Sequence, residues 1–192
     1  MDHKFAGADA STPLDARMQR TRSALCAALL ALLEEKPFEQ VTVREITRKA
    51  VVGYATFFRR YPDKEALLND LAAGEIRALM SMTVPILFAA DSRAACRALC
   101  AYVGERHKLW GALLTGGAAS TMREEFIRQA KQIAVGQPNP DTWLPGDLRV
   151  VYATGGVVDV LAWWLQQRPR PPADQMAEIL DRLVIAPTLA TV

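Results

Sequence analysis

The sequence predicts an all-α fold, and three observations predict it. Apolar residues recur at helical spacing through most of the 192 residues. No segment alternates apolar and polar residues as a half-buried strand does. The proline-rich stretches fall between the periodic segments, where loops are needed. A hydrophobic content of 51% supplies a sizeable core. The formal charge is only +2, with a pI near 8.5, so global charge does not announce a polyanionic partner. Any such partner must be argued from a local patch.

Three cysteines, an odd number, do not suggest a secreted disulfide framework. The start, Met1-Asp2-His3-Lys4, leads into no apolar signal core. The most apolar stretch, Val150 to Leu165, holds Asp159 and two glycines. It is also shorter than the roughly 20 residues of a membrane span. The expectation is a soluble cytoplasmic protein with no membrane partner.

Residues 1–16 mix Gly, Ala, Asp, Ser and Pro without periodicity and read as a mobile arm. A first helix follows from Arg17 to Glu35, with Leu25, Ala28, Leu29, Leu32 and Leu33 on one face, and Pro37 ends it. Thr42 and Glu45 then have the spacing of a capping box, and Val41 and Ile46 that of a hydrophobic staple. A short helix should run from Thr42 to near Ala50. The next, Tyr54 to Tyr61, must end before Pro62. Asp63 caps a longer helix whose inner face begins Leu67, Leu68, Leu71.

Two short helices joined by Val51-Val52-Gly53 match a helix-turn-helix. Val43, Ile46, Ala50, Val52 and Phe57 can seat them against the first helix. From Val41 to Lys64 six basic residues stand against Glu45 and Asp63, a local net of +4. Arg17, Arg20 and Arg22 add charge nearby. A solvated helix face is the ordinary meaning of such a cluster. Here turn, caps and basic face coincide, and phosphate neutralisation with base-edge contacts from the second helix accounts for all of them.

The run Thr42-Val43-Arg44-Glu45-Ile46, then Ala50-x-Val52, then Ala55-Thr56-Phe57-Phe58-Arg59-Arg60-Tyr61-Pro62-Asp63-Lys64-Glu65-Ala66-Leu67-Leu68 resembles the DNA-binding domain of the TetR/AcrR family of transcriptional regulators. The similarity is dense over residues 20–71; beyond it, the chain is similar in architecture only. The resemblance implies a helix-turn-helix DNA-binding domain over 17–62 and a helical effector-binding and dimerisation domain over 63–192. It implies DNA contacts from Thr42, Arg44, Tyr54, Thr56, Phe58, Arg59, Arg60 and Lys64, with Lys64 on phosphate at a helix N-terminus. Four positions depart from the family pattern. Val51 stands for the turn glycine, and β-branched residues are disfavoured at positive φ. Gly53 stands for a serine or threonine cap. Phe58 replaces a tyrosine and Arg60 a histidine, so Arg60 could restore a phosphate contact that Phe58 cannot make.

Further helices are expected over 63–90, 92–104, 106–116, 121–135, 147–167 and 173–186. Pro85 should kink or break the first of these. Thr121 and Glu124 form a second capping-box pattern. Turn-rich stretches fall at Gly136 to Gly146 and Arg168 to Pro172. The helix from Asp147 is apolar on every side and should be buried on more than one face. A dimer partner would cover one of them, with Gly155-Gly156 allowing close approach and Leu161 and Leu180 facing outward. Met176, Ile179, Leu180 and Leu183 form a stripe on the last helix.

Trp110, Leu113, Met122, Phe126, Trp143, Tyr152, Asp159 and Trp163 are candidate lining for a small-molecule pocket. Each apolar member reads equally as ordinary core. Asp159 would pair with Arg149, pair with a partner-chain base, or orient a ligand. Cys96 and Cys100 lie one turn apart with His107 beyond, but free cysteine usually behaves as a small buried hydrophobe. No metal or cofactor is expected. No nucleophile elbow, phosphate-binding glycine loop or acid–base pair points to an enzyme. The expected function is a repressor, a homodimer on palindromic double-stranded operator DNA, released by a small lipophilic or aromatic effector. The alternatives are an effector-independent regulator on the same fold and, remotely, an enzyme.

Overall fold

A computed structural model describes residues 13–88, 91–116, 119–135 and 143–190. Among the described residues there is no strand. Helix α1 spans Pro13–Glu35, α2 Val43–Ala50 and α3 Tyr54–Phe58, with a short 3-10 turn at Phe38–Gln40. The body contains α4 (Lys64–Phe88), α5 (Ser92–Glu105), α6 (His107–Thr115), α7 (Ala119–Ala134) and α8 (Gly146–Gln166). It closes with α9 (Ala173–Leu180), a π turn at Asp181–Ile185 and α10 (Ala186–Leu189).

Helix α1 begins four residues before the expected Arg17. Pro13 suits a first helical position, since its φ is fixed near the helical value and it has no N–H to leave unpaired. The expected arm is therefore helical over 13–16, and its remainder, 1–12, lies outside the described residues. The expected inner face of α1 is buried in full: Leu25, Ala28, Leu29, Leu32 and Leu33. It packs on α2, α4 and α6.

Pro85 does not end α4, which continues to Phe88. Only one turn follows the proline, so few backbone hydrogen bonds depend on it. Helix α7 starts at Ala119, which places Thr121 and Glu124 inside it and not at a cap. Of the expected loop at Gly136 to Gly146, residues 136–142 lie outside the described residues.

On the last helix, Met176 and Leu180 are buried as expected, but Ile179 and Leu183 are exposed. The π turn keeps residues four apart in line, so Met176, Leu180, Val184 and Thr188 form the buried stripe.

Helix α8 is 21 residues long with a mean hydropathy of 1.3 over its most apolar window, so its length alone does not exclude a membrane span. It is one wall of the bundle. Val158, Leu161, Trp164 and Leu165 are buried, and it packs on α6 and α7. Leu148, Tyr152, Asp159 and Trp163 form an exposed stripe on its other side.

Two expectations about this region are corrected. Leu161 and Leu180 do not face outward; both are fully buried within the chain. The close approach at Gly155-Gly156 is made by the chain itself. A Cβ on Gly155 would strike the Arg123 guanidinium, and one on Gly156 would lie 3.0 Å from Val184 Cγ1.

Candidate nucleic-acid interface

The helix-turn-helix is built from its caps outward. The Glu45 backbone N–H donates to Thr42 Oγ1 at 3.3 Å, and the Thr42 backbone N–H donates to Glu45 Oε2 at 3.0 Å. Thr42 Oγ1 also donates to Glu45 Oε2 at 2.8 Å. The predicted capping box is present. Lys36 Nζ donates to Glu45 Oε1 at 2.6 Å. The hydrogen bonds from Lys36 first, then from Thr42, pull the Glu45 carboxyl down from 4.5 to about 2. Val41 and Ile46 are buried at the staple positions.

Helix α2 ends at Val51, which adopts the left-handed conformation with φ 54° and ψ 42°. It is the one non-glycine residue at positive φ among the described residues. The turn from α2 into α3 therefore keeps its shape without the expected glycine. Gly53 precedes α3 in an extended conformation with no side-chain cap. Helix α3 is shorter than expected, giving way after Phe58 to a turn. Phe57 is fully buried beneath it.

The outer surface is divided sharply. Tyr54 and Phe58, one turn apart, are about half exposed and meet edge to face at 5.0 Å. Arg44 and Arg48 on α2 and Arg59 after α3 are exposed too, as are Arg17 and Arg20 on α1. Arg59 Nη2 donates to Thr56 Oγ1 at 2.8 Å, which holds both side chains together.

Three cations expected at the duplex are engaged elsewhere. Lys64 Nζ donates to the carbonyls of Phe38 (2.9 Å), Glu39 (3.2 Å) and Val41 (2.9 Å). It also sits 4.5 Å from the Phe38 ring centroid. An ammonium has three donors, so this set leaves none for a phosphate. Arg60 Nη1 donates to the Met18 carbonyl at 3.2 Å, and its Nε to Tyr61 Oη at 3.3 Å. Arg22 forks onto Asp70, with Nε to Oδ2 at 2.7 Å and Nη2 to Oδ1 at 3.0 Å.

The network around Asp70 escaped the sequence reading, because its members lie up to 48 residues apart. Tyr61 Oη completes it, donating to Asp70 Oδ2 at 2.5 Å. Burial alone would raise the Asp70 carboxyl, but the hydrogen bonds from Arg22 and Tyr61 outweigh it and hold the carboxyl below its ordinary value. Burial, then the Asp70 bond, pushes the Tyr61 hydroxyl up to about 12. The network ties α1, the end of the recognition segment and α4 together.

The eight candidate pocket residues do not line one cavity. Trp110, Leu113, Met122 and Phe126 lie in the core, with the Trp110 and Phe126 rings 5.8 Å apart. The indole Nε1–H of Trp110 is buried and meets no acceptor among the described residues. Trp143, Tyr152 and Trp163 are exposed. Asp159 is exposed too, and pairs with Arg123 Nε at 3.7 Å, not with Arg149.

Two open grooves mark the body. One, of about 480 Å³, lies between α4 and α7 and includes Arg77, Met80, Val84 and Gln129. The other, of about 500 Å³, lies between α7, α8 and the π turn and includes Arg123, Tyr152, Asp159 and Leu183. Cys96 and Cys100 are buried, and burial pushes both thiols up to about 12, so they stay protonated. No cluster of metal-ligating side chains occurs among the described residues.

A compact helix-turn-helix with a cationic outer face, carried on a helical body, defines a helix-turn-helix DNA-binding protein. Residues 25–71 match the family described as bacterial regulatory proteins, tetR family. An uncharacterized HTH-type transcriptional regulator, YxbF of Bacillus subtilis (strain 168), is 42% identical over 59 residues. That match spans 30% of this chain and only 16% of the relative.

Similarity of fold extends much further. A TetR transcriptional regulator from Rhodococcus sp. RHA1 superposes with a TM-score of 0.64 at 15% identity, covering 92% of this chain and 99% of that one. Thermus thermophilus FadR, a TetR family repressor in complex with lauroyl-CoA, gives 0.61 at 18% identity, covering 89% and 96%. Residues 25–71 thus form a DNA-binding domain of the tetR family, and the chain as a whole shares the fold of TetR-family regulators.

Proposed function

We propose that this regulator is a ligand-responsive repressor that binds a palindromic operator as a homodimer, in the cytoplasm. The observation that carries the DNA reading is the exposed α2–α3 face. There Arg44, Arg48, Arg59 and Tyr54 are exposed on one helix-turn-helix, and Arg59 holds Thr56. Arginines suit phosphates, and residues in the first turn of α3 suit base edges. Thr42, at the start of α2, lies within reach of the backbone in the same docking. The DNA-binding unit is residues 17–62, and 63–192 form the effector and dimer unit. Arg60 inside the first unit, and Lys64 reaching back to it from the start of α4, act as positioning residues, for the geometric reasons given above.

Dimerisation is assigned to the exposed apolar residues of α8 and the π turn: Leu148, Tyr152, Trp163 and Leu183. A self-complementary patch of this kind suits two-fold symmetry. The effector site is assigned to the Trp110, Leu113, Met122 and Phe126 cluster. An unpaired indole donor in a buried site is unfavourable, and a lipophilic or aromatic ligand bearing an oxygen acceptor would satisfy it. That FadR is solved with lauroyl-CoA shows that a protein of this fold accommodates a large lipophilic ligand.

The test begins with selection of duplexes from a random library by the full-length protein. Their sequences should be palindromic. A panel of acyl-CoA esters and phenols is then screened by thermal shift, and each stabilising compound is titrated against the protein–DNA complex. Release of DNA by compounds that quench Trp110 fluorescence is the expected result. Compounds that bind without changing operator affinity would defeat the ligand-responsive reading, and non-palindromic selected sequences would defeat the dimeric one.

A further inference from the structure

We propose that the chain selects its operator through thymine methyl groups, read by the exposed aromatic pair Tyr54 and Phe58 and, at a separate position, by the exposed turn residue Val51. The proposal rests on the DNA-binding reading and specifies what that face recognises.

Phe58 carries neither donor nor acceptor, so it cannot read the hydrogen-bond pattern of a base. It is nevertheless 45% exposed, and its ring is held from two sides. Tyr54 meets it at 5.0 Å and the buried Phe57 at 5.2 Å, both edge to face. It is thus a fixed apolar surface and not a loose side chain.

Val51 is 91% exposed and sits at positive φ. A β-branched residue there is strained, and at that exposure little packing within the chain offsets the strain. Backbone strain of this kind concentrates at functional positions. These exposed apolar residues stand on the same helix-turn-helix as the exposed cations Arg44, Arg48, Lys49 and Arg59.

An occupant must therefore be polyanionic and also offer apolar atoms at fixed places. The major groove of DNA meets both conditions. The C5-methyl of thymine is the apolar group on its base edges, and side chains including phenylalanine contact it. The exposed arginines of the same helix-turn-helix complement the phosphates.

The experiment uses the full-length protein and duplexes enriched from a random library. Each thymine of the enriched half-site is replaced singly by uracil, which removes the methyl and keeps every hydrogen-bonding group. At the positions read by these residues, binding should weaken about fourfold, the transfer value of one buried methyl. Phe58→Ala and Tyr54→Ala should bind the thymine and uracil duplexes equally at their positions. Val51→Gly removes an isopropyl group and relieves the positive φ, so it keeps the fold, and it should lose the discrimination at its own position.

If the parent protein binds every uracil duplex as tightly as its thymine counterpart, the proposal is overturned and DNA binding stands. The same follows if the variants keep the full discrimination. If no duplex is enriched at all, the DNA-binding reading falls and takes the proposal with it.

Discussion

At the residue scale, Lys64 and Glu45 show how a charged side chain in a DNA-binding head can serve the head itself. The Lys64 ammonium closes the 3-10 turn onto the start of α4 through three carbonyls. Lys64→Ala should lower stability by about 1–2 kcal/mol, as for hydrogen bonds to a partly exposed charged group. Log affinity against log salt should keep the parent slope. A loss of about one unit would instead mark a phosphate contact. Glu45 makes a prediction about pH. Its carboxyl falls from 4.5 to about 2 on folding, through Lys36 and Thr42. Its contribution is complete above about pH 4.5 and is lost as the pH falls through about 2. Acid titrations of the parent and Glu45→Gln, followed by circular dichroism, should converge below that window and diverge above it. Curves that run parallel from neutral pH to pH 2 would show that the bonds to Glu45 do not persist in solution.

At the scale of elements, the decisive arrangement is the Arg22–Asp70–Tyr61 cluster, which joins α1 to α4 and holds the end of the recognition segment between them. The Tyr61 hydroxyl is raised to about 12 by burial and by Asp70, above the ordinary 10. It therefore contributes stability that is complete below about pH 10 and lost as the pH rises through about 12. Tyr61→Phe should melt lower at neutral pH, by about 1–2 kcal/mol for the lost bond to a charged acceptor. Its melting temperature should also fall less between pH 10 and 12 than the parent's. An alkaline limb unchanged by the substitution would remove Tyr61 from the linkage. Helix boundaries in this region were legible because local chemistry fixes them. Thr42 and Glu45 cap α2, the Ala66 backbone N–H donates to Asp63 Oδ1 at 2.7 Å, and Leu67 and Leu68 face inward. What Arg22, Arg60 and Lys64 do was not legible, because each is held by a partner 23 to 48 residues away. A charge count along the sequence cannot separate a cation facing solvent from one folded back onto the backbone.

At the scale of the whole molecule, the same distinction governs α8. Apolar residues on every side predicted burial on more than one face, and the helix does have a buried stripe and an exposed apolar one. Periodicity alone could not say which was which, because Leu161 and Tyr152 are both apolar in pattern. The fold assigns them: Leu161 is fully buried, while Tyr152 is 58% exposed. A substitution test of the dimer must respect that assignment. Leu161→Asp would place a carboxylate in the core, which is costly whether or not a dimer forms. Tyr152→Glu and Leu183→Glu instead change only exposed positions beside the groove of α8 and the π turn. Two new carboxylates per protomer, brought together across a two-fold axis, would repel in the assembled state and remain solvated in the monomer. The double variant should therefore sediment as a folded monomer with an unchanged helical spectrum. Its operator affinity should fall steeply, since one head then binds without its symmetric partner. Leu161→Asp should lose helical structure and association together. If the double variant sediments like the parent, the exposed stripe is not the dimer surface, and a different face must bring the two heads into register.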